Sequence, residues 1–206
     1  MHFKVSSCAV IAASLIACDS VASQIDVNDP SFEEQAPGTV LQSSVDANCA
    51  DPGHWGVDRA KVVTAQNGIT PLDGEQMLHR ENHGRATDHY QVVDVSVLAG
   101  AIDAGKLDVT WRVSFNGLID GAGIDLSITP LATCDEPTAE VLHAFGTELF
   151  EGPGLEAGQW QTLSMDRELP KGTRLIRVGI HMEDGNNYAT YADNAVLQVS
   201  DTKINT

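Results

Sequence analysis

Two short acidic segments stand at opposite ends of this sequence. Residues 31–33 read Ser-Phe-Glu and residues 191–194 read Tyr-Ala-Asp-Asn, about 160 positions further on. We predict that each segment lies on a β-strand and contributes one carboxylate, from Glu33 and from Asp193. Such a carboxylate can bind a hard cation, pair with Lys or Arg, or remain solvated. The outcome depends on whether the fold brings the two segments together.

A second reactive cluster lies between residues 79 and 89, which hold three of the seven histidines. With Glu81 and Asp88, these imidazoles could bind zinc or copper. The spacing of His79 and His83 suits a metal only on a helix, and the Asn and Gly residues of this stretch favour a loop. We therefore predict a solvated polar loop.

Such a loop can still contact a ligand, because the loops of a sandwich often carry function. It contains Arg80, Arg85 and Tyr90, which supply hydrogen-bond donors and a stacking ring. We predict these three as ligand-binding residues. Tyr188 and Tyr191 are further candidates for exposed rings.

The alternative ligand surface is the polar side of a strand predicted over residues 107–116. Its apolar positions include Trp111, which we expect in the core, and its polar positions include Arg112 and Asn116. We expect the strand at 173–182 to turn Thr173, Arg177 and His181 to the same side. Of the two surfaces, the pattern favours the loop.

Alternating apolar and polar residues define further strands at 124–129 and 175–182, and Val93, Val95 and Val97 continue the pattern. Gly- and Pro-containing turns separate these runs. Helical patterns are scarce. The sequence therefore predicts an all-β fold, an antiparallel β-sandwich over residues 28–200, followed by a tail at 201–206.

Several stretches, taken in order, resemble the galactose-binding-like β-jelly roll found in many carbohydrate-binding modules. They are residues 28–33, 55–63, 68–78, 91–96 with 102–105, 159–161, 169–174 and 191–197. The resemblance implies a jelly roll whose first and last strands are neighbours, with Trp55 and Trp160 as packing aromatics. It also implies a structural calcium ion held by Glu33 and Asp193, with Asp29 and the turn at 73–75 as further donors.

The N-terminus has the composition of a secretory signal. Lys4 is the only charge in residues 1–17 and precedes the apolar run 10–17. The run ends in Leu-Ile-Ala-Cys, which looks like a bacterial lipobox and predicts a lipidated Cys18. Asp19 follows this cysteine, and in enterobacterial lipoproteins an Asp at that position favours retention in the inner membrane. The alternative is cleavage after residues 21–23, which would give a soluble protein. Residues 18–27 read as a short polar tether.

Cys49 and Cys134 are the two cysteines that remain after Cys8 and Cys18 are assigned to the signal and to the lipid. In an oxidising compartment, an even pair predicts a disulfide. Buried thiols are the alternative. A two-cysteine metal site lacks further ligands at a suitable spacing.

The chain is strongly acidic, with 12 Lys and Arg against 29 Asp and Glu and a formal charge of −17. Such a surface repels nucleic acid and anionic headgroups, so the acyl chain is the only membrane contact expected. It also disfavours polyanionic glycans.

The sequence contains no Gly-x-Ser-x-Gly, no His-Glu-x-x-His and no phosphate-binding glycine loop. We therefore predict a monomeric, non-catalytic, calcium-stabilised lipoprotein of the cell envelope that binds carbohydrate. A structural or protein-interaction lipoprotein without a glycan ligand is the alternative, and a glycan-active hydrolase or lyase is less favoured.

Overall fold

The computed structural model describes residues 23–41, 53–57, 60–80, 87–133, 148–151, 154–182 and 189–201. The described strands are β1 (Ser23–Ile25), β2 (Val40–Leu41), β3 (Gly56–Val57), β4 (Ala60–Val63), β5 (Met77–Arg80), β6 (Thr87–Asp94), β7 (Leu107–Gly117), β8 (Ile124–Leu131), β9 (Glu148–Glu151), β10 (Gln161–Glu168), β11 (Leu175–Met182) and β12 (Thr190–Asp201). A 3₁₀ turn (Ser96–Leu98) and the helix α1 (Ala99–Asp103) follow β6. Within these ranges, no helix is long and apolar enough to cross a membrane.

The strands form two antiparallel sheets packed face to face. Sheet A has the order β10-β7-β12-β5-β4-β2, and β1 pairs with β12. Sheet B has the order β3-β6-β11-β8-β9. The last strand, β12, lies in the middle of sheet A between β7 and the early strands, as a jelly roll requires. The predicted all-β antiparallel sandwich is confirmed.

The core lies between the sheets and contains the apolar positions that the alternation predicted. Trp111 has no exposed surface, and its indole Nε1 donates a hydrogen bond of 3.0 Å to the carbonyl of Gly179 in sheet B. Arg167 also crosses the core, donating from Nη1 to the carbonyl of Ile128 at 2.8 Å. Two buried hydrogen bonds therefore connect the sheets in addition to apolar packing.

Replacing Trp111 with Phe is expected to destabilise the protein by about 2 to 4 kcal/mol, because it removes a buried hydrogen bond and leaves a cavity. Urea unfolding measures this loss. Trp160→Phe is the matched control, since Trp160 is only half-buried although its Nε1 donates to the carbonyl of Thr70. Equal losses in the two variants would contradict the central role of Trp111.

Residues 31–33 do not form the predicted strand. They lie in a turn in which Asp29 (φ 48°) and Phe32 (φ 59°) adopt the left-handed conformation. Asp tolerates such an angle comparatively well, but it is unusual for a bulky residue such as Phe. The Phe32 ring is fully buried and packs on Trp55, with ring centroids 5.4 Å apart. This tertiary packing offsets the backbone cost, and an alternation pattern cannot report it.

The N-terminal boundary also differs from the predicted one. Ser23, Gln24 and Ile25, which fall within the predicted tether at 18–27, pair with β12, and Ile25 packs on the core. The sandwich therefore includes residues before position 28. At the other end, β12 reaches Asp201.

Three expectations about strand faces and alternation are wrong. β7 and β11 belong to different sheets, so Arg112 and Arg177 lie on opposite sides of the sandwich rather than on one polar face. Thr173 precedes β11 and is fully buried. The alternation of valines does not continue past β6, because Asp94 accepts a hydrogen bond from the backbone N of Ser96 and the chain enters the 3₁₀ turn.

Candidate functional site

Glu33 and Asp193 both bind one turn, residues 71–76, which leads into β5. Asp193 Oδ2 accepts hydrogen bonds from the backbone N–H groups of residues 72 (2.7 Å) and 73 (3.0 Å). Glu33 Oε1 accepts from those of residues 75 (2.8 Å) and 76 (2.6 Å). We call Glu33, Asp193 and this turn the acidic turn site.

A bulge in β12 orients Asp193. The register shifts between Asp193 and Val196, and Asn194 adopts a left-handed φ of 51°. Asp193 Oδ1 accepts a hydrogen bond of 2.7 Å from the backbone N of Asn194. The next residue, Ala195, donates from its backbone N to the carbonyl of Pro30 at 2.9 Å. The bulge therefore turns the carboxylate to the acidic turn site and attaches the N-terminal segment to β12.

Gly74 allows Glu33 to approach the turn. It has a φ of 67°, and a Cβ at this position would collide with the Glu33 carboxylate. Gln76 Nε2 donates to the Glu33 carbonyl at 3.0 Å and to Oε2 at 3.3 Å. Ser31 Oγ donates to Asp73 Oδ2 at 2.9 Å, a second link between this segment and the turn.

The surroundings of Asp193 disfavour its ionised form. Burial raises its pKa to about 6, opposed by its backbone hydrogen bonds and increased further by nearby Asp73. Burial also raises the pKa of Asp29. Asp29 was predicted as a metal donor, but its Oδ1 accepts from the backbone N of Glu34 and its carbonyl accepts from Trp55 Nε1. Asp29 therefore stabilises its own turn.

The acidic turn site is rich in oxygen atoms, which suits a hard cation. Gln76 Oε1 is buried and has no hydrogen-bond partner, and Glu33 Oε2 accepts only one long hydrogen bond. Across the described ranges, no group of three or more His, Cys, Asp or Glu side chains is arranged to hold a metal. A cation would therefore need Glu33, Asp193, neutral oxygens and water together.

A second polar surface lies on the outer side of sheet B. The registers of β6, β11 and β8 bring one row of residues to this side, opposite the apolar row in the core. We call it the Tyr90 face; it consists of Asp88, Tyr90, Asp125, Ser127, Thr129, Arg177 and His181.

The hydroxyl-bearing end of the Tyr90 ring lies close to Gly56 of β3. A Cβ on Gly56 would be 2.7 Å from the Cζ of Tyr90, so only glycine leaves room for the ring here. The guanidinium carbon of Arg177 lies 5.9 Å from the centroid of the ring, and its Nη2 is 3.5 Å from Thr129 Oγ1. The planar cation therefore lies over the aromatic ring, and both side chains are half-buried.

Two carboxylates flank an imidazole at one end of the face. His181 Nδ1 is 2.7 Å from Asp88 Oδ1, and His181 Nε2 is 3.9 Å from Asp125 Oδ2. The hydrogen bond from His181 lowers the pKa of Asp88. The Asp88 side chain is largely exposed and Asp125 is nearly buried. These groups can donate to and accept from hydroxyl groups, and they could also move protons.

The other predicted ligand residues are dispersed. Arg80 is 1 % exposed and Asn116 is 2 % exposed, so neither is available at the surface, and Tyr191 is fully buried. Arg112 lies on the outer side of sheet A and donates to Gln198 Oε1 at 2.6 Å. Among the predicted ligand residues that the structure describes, only Tyr90 reaches a polar surface with suitable neighbours. Arg85, Cys18, Cys49 and Cys134 lie outside the described residues.

Asp125 and Thr129 are members of the Tyr90 face that sequence reasoning missed. The alternation at 124–129 already assigned them to one side of a strand. Assigning that strand to the same sheet as Arg177 and His181 would have required the strand order, which alternation does not give.

The fold is that of the galactose-binding-like β-jelly rolls. A cyclase from Fischerella sp. TAU shares 14 % identity over 87 % of this chain and 98 % of its own, with a TM-score of 0.57. A protein from Bacteroides thetaiotaomicron assigned as sugar-binding shares 10 % over 84 % and 98 %, with a TM-score of 0.55. TmCBM61, solved with β-1,4-galactotriose, shares 17 % over 85 % and 98 %, with a TM-score of 0.51.

No protein-family model and no curated protein matches the chain. Identities this low establish the fold and leave the function to be argued from the site.

Proposed function

We propose that this protein is a non-catalytic carbohydrate-binding lipoprotein of the bacterial cell envelope, and that its glycan binds on the Tyr90 face. One observation carries the proposal. The Tyr90 ring contacts Gly56 and lies under the Arg177 guanidinium, with hydroxyl and carboxylate groups around them.

This arrangement suits a neutral sugar. The C–H side of a pyranose can pack against the exposed part of the ring, and its hydroxyls can donate to Asp88 and accept from Arg177. The acidic chain disfavours uronic or sulfated glycans. The galactotriose bound to TmCBM61 supports a neutral oligosaccharide as the ligand class.

The proposed cellular location rests on the sequence. Residues 1–22 lie outside the described range, and the lipobox-like Leu-Ile-Ala-Cys motif supports lipidation of Cys18 after export. Labelled palmitate incorporated by the wild type and not by Cys18→Ala would support this assignment. Secretion of an unlabelled wild-type protein would favour the soluble alternative.

Calcium is proposed as a structural ion at the acidic turn site. Glu33, Asp193 and Gln76 Oε1 would hold it, with backbone oxygens and water completing the usual six to eight ligands. The bound ion would supply positive charge to buried Asp193. In this role it stabilises the connection between the N-terminal segment, residues 71–76 and β12.

A glycan array tests the function directly. We expect the soluble form, residues 19–206, to bind neutral oligosaccharides in the presence of calcium and to release them unchanged. Shortened products would support the glycan-active enzyme instead. No binding by a folded, calcium-loaded protein would favour the structural or protein-interaction lipoprotein.

The proposed disulfide gives a separate prediction. Cys49 and Cys134 are 85 positions apart, and closing a loop of that length stabilises by about 4 to 5 kcal/mol in chain-entropy estimates. Dithiothreitol is therefore expected to lower the melting temperature of the wild type and to leave that of Cys49→Ser/Cys134→Ser unchanged. Alkylation of both thiols in the native, unreduced protein would refute the bridge.

A further inference from the structure

The described chain begins at one particular end of the sandwich. β1 starts at Ser23 beside the C-terminal part of β12, and β12 ends where Asp201 pairs with Leu107 at the start of β7. The 3₁₀ turn Ser96–Leu98 lies at this end too, because it lines a groove together with Ser23. We call this end the anchor end. The opposite end, where β7 finishes at Gly117, is the loop end.

Few residues separate the proposed lipid from the sandwich. Ser23 follows Cys18 by five positions, and five residues span at most about 18 Å when fully extended. The strand β7 alone extends about 33 Å from the anchor end to the loop end. The anchor end therefore stays close to the bilayer, whatever conformation the connecting residues adopt.

Val97 is the most exposed large apolar residue in the described part of the chain, at 91 %. It projects from the 3₁₀ turn because Asp94 Oδ1 accepts the backbone N–H of Ser96 at 2.8 Å and fixes the start of the turn. The neighbouring groove adds apolar side chains of Ile25, Leu98 and Val199, among others. The apolar surface at this end therefore adjoins the first described strand.

The remaining surfaces suit a bilayer less well. The outer side of sheet A exposes Asp166, and the Tyr90 face exposes Asp88. Pressing either against lipid would desolvate carboxylates without compensation. The anchor end exposes Asp94 and Glu168 too, but it also exposes Lys106 and Lys171, and Asp103 pairs with Arg174 at 2.8 Å.

We propose that the anchor end docks on a zwitterionic phospholipid surface with Val97 at the interface, so that the loop end points away from the membrane. The proposal rests on the proposed lipidation of Cys18. One valine binds lipid weakly by itself, and the acyl anchor makes the contact effective by keeping it at high local concentration.

Bromolipid quenching of tryptophan fluorescence tests this orientation. The full lipidated protein is placed in phosphatidylcholine and phosphatidylethanolamine vesicles with brominated acyl chains. Val97→Trp is compared with Leu118→Trp, since Leu118 follows β7 at the loop end and is 39 % exposed. We expect the brominated lipid to quench the fluorescence of the tryptophan introduced at position 97 and to leave that of the tryptophan introduced at position 118 unchanged.

The outcomes separate the two proposals. Failure of the wild type to float with vesicles would refute the lipid anchor. Flotation with equal quenching at both positions, or stronger quenching at 118, would overturn the docked orientation while leaving the anchor intact. Both substituted residues are exposed, so both variants are expected to retain the wild-type melting temperature.

Discussion

Calcium is expected to raise the melting temperature of this protein at pH 7.5 by about 6 to 12 °C. Ionised Asp193, with its pKa raised from 3.8 to about 6, costs the fold about 3 kcal/mol at neutral pH. A bound cation offsets that cost, and for a chain of this size each kcal/mol corresponds to about 2 to 4 °C. Thermal unfolding in calcium and in chelator measures the difference.

The effect is expected to depend on pH. Because the folded-state pKa of Asp193 is raised, its favourable contribution is complete below pH 3.8 and is lost as the pH rises through about 6. Asp193 therefore makes the calcium-free protein less stable at pH 7.5 than at pH 5. The increase in melting temperature produced by calcium becomes smaller towards pH 5, because a protonated Asp193 binds cations poorly.

Glu33→Gln and Asp193→Asn are expected to abolish the calcium response. Asp166→Asn is the matched control, since Asp166 is an exposed acid on the outer side of sheet A. Equal melting temperatures of the wild type in calcium and in chelator at pH 7.5 would exclude the structural ion.

Tyr90→Ala and Arg177→Ala are each expected to weaken glycan binding at least tenfold, with Tyr90→Ala having the larger effect. The ring provides the stacking surface and the guanidinium provides hydrogen bonds, and such contacts commonly dominate a binding site. Arg112→Ala is the control, because Arg112 lies on the opposite side of the sandwich. Isothermal titration with the best glycan from the array gives the affinities.

Gly56→Ala gives a sharper test of the same site. The new Cβ would lie 2.7 Å from the Tyr90 ring and must displace it, although every polar group of the face remains. Binding is expected to fall as it does in Tyr90→Ala. If Gly56→Ala and Tyr90→Ala bind the glycan with full affinity and Arg112→Ala does not bind it, the site lies on sheet A. If Arg85→Ala alone loses glycan binding, the site lies in the loop predicted between residues 79 and 90.

The strands of the core were predictable because their packing follows a simple period. The alternation around Trp111 and at 175–182 gave both the strands and their buried sides. The turn at 31–33 was not predictable in this way. The left-handed Phe32 is stabilised by Trp55, a contact between residues 23 positions apart.

The candidate site shows a similar division. Alternation predicted that Arg112 and Arg177 point away from the core, and each does, but on opposite sides. A period of two assigns a residue to one side of its strand, and it does not say which sheet the strand joins. The burial of Arg80 was not predictable for the same reason, since whether its side chain is covered depends on how β5 joins sheet A.

The amide of Gln91 links the N-terminal segment to the strand that carries Tyr90. It accepts from the backbone N of Asn28 at 2.8 Å and donates to the carbonyl of Asn28 at 2.9 Å. Asn28 lies three residues beyond β1, and Gln91 follows Tyr90 on β6. In the proposed lipoprotein, two adjacent hydrogen bonds would therefore connect the membrane-proximal segment directly to the strand that carries Tyr90.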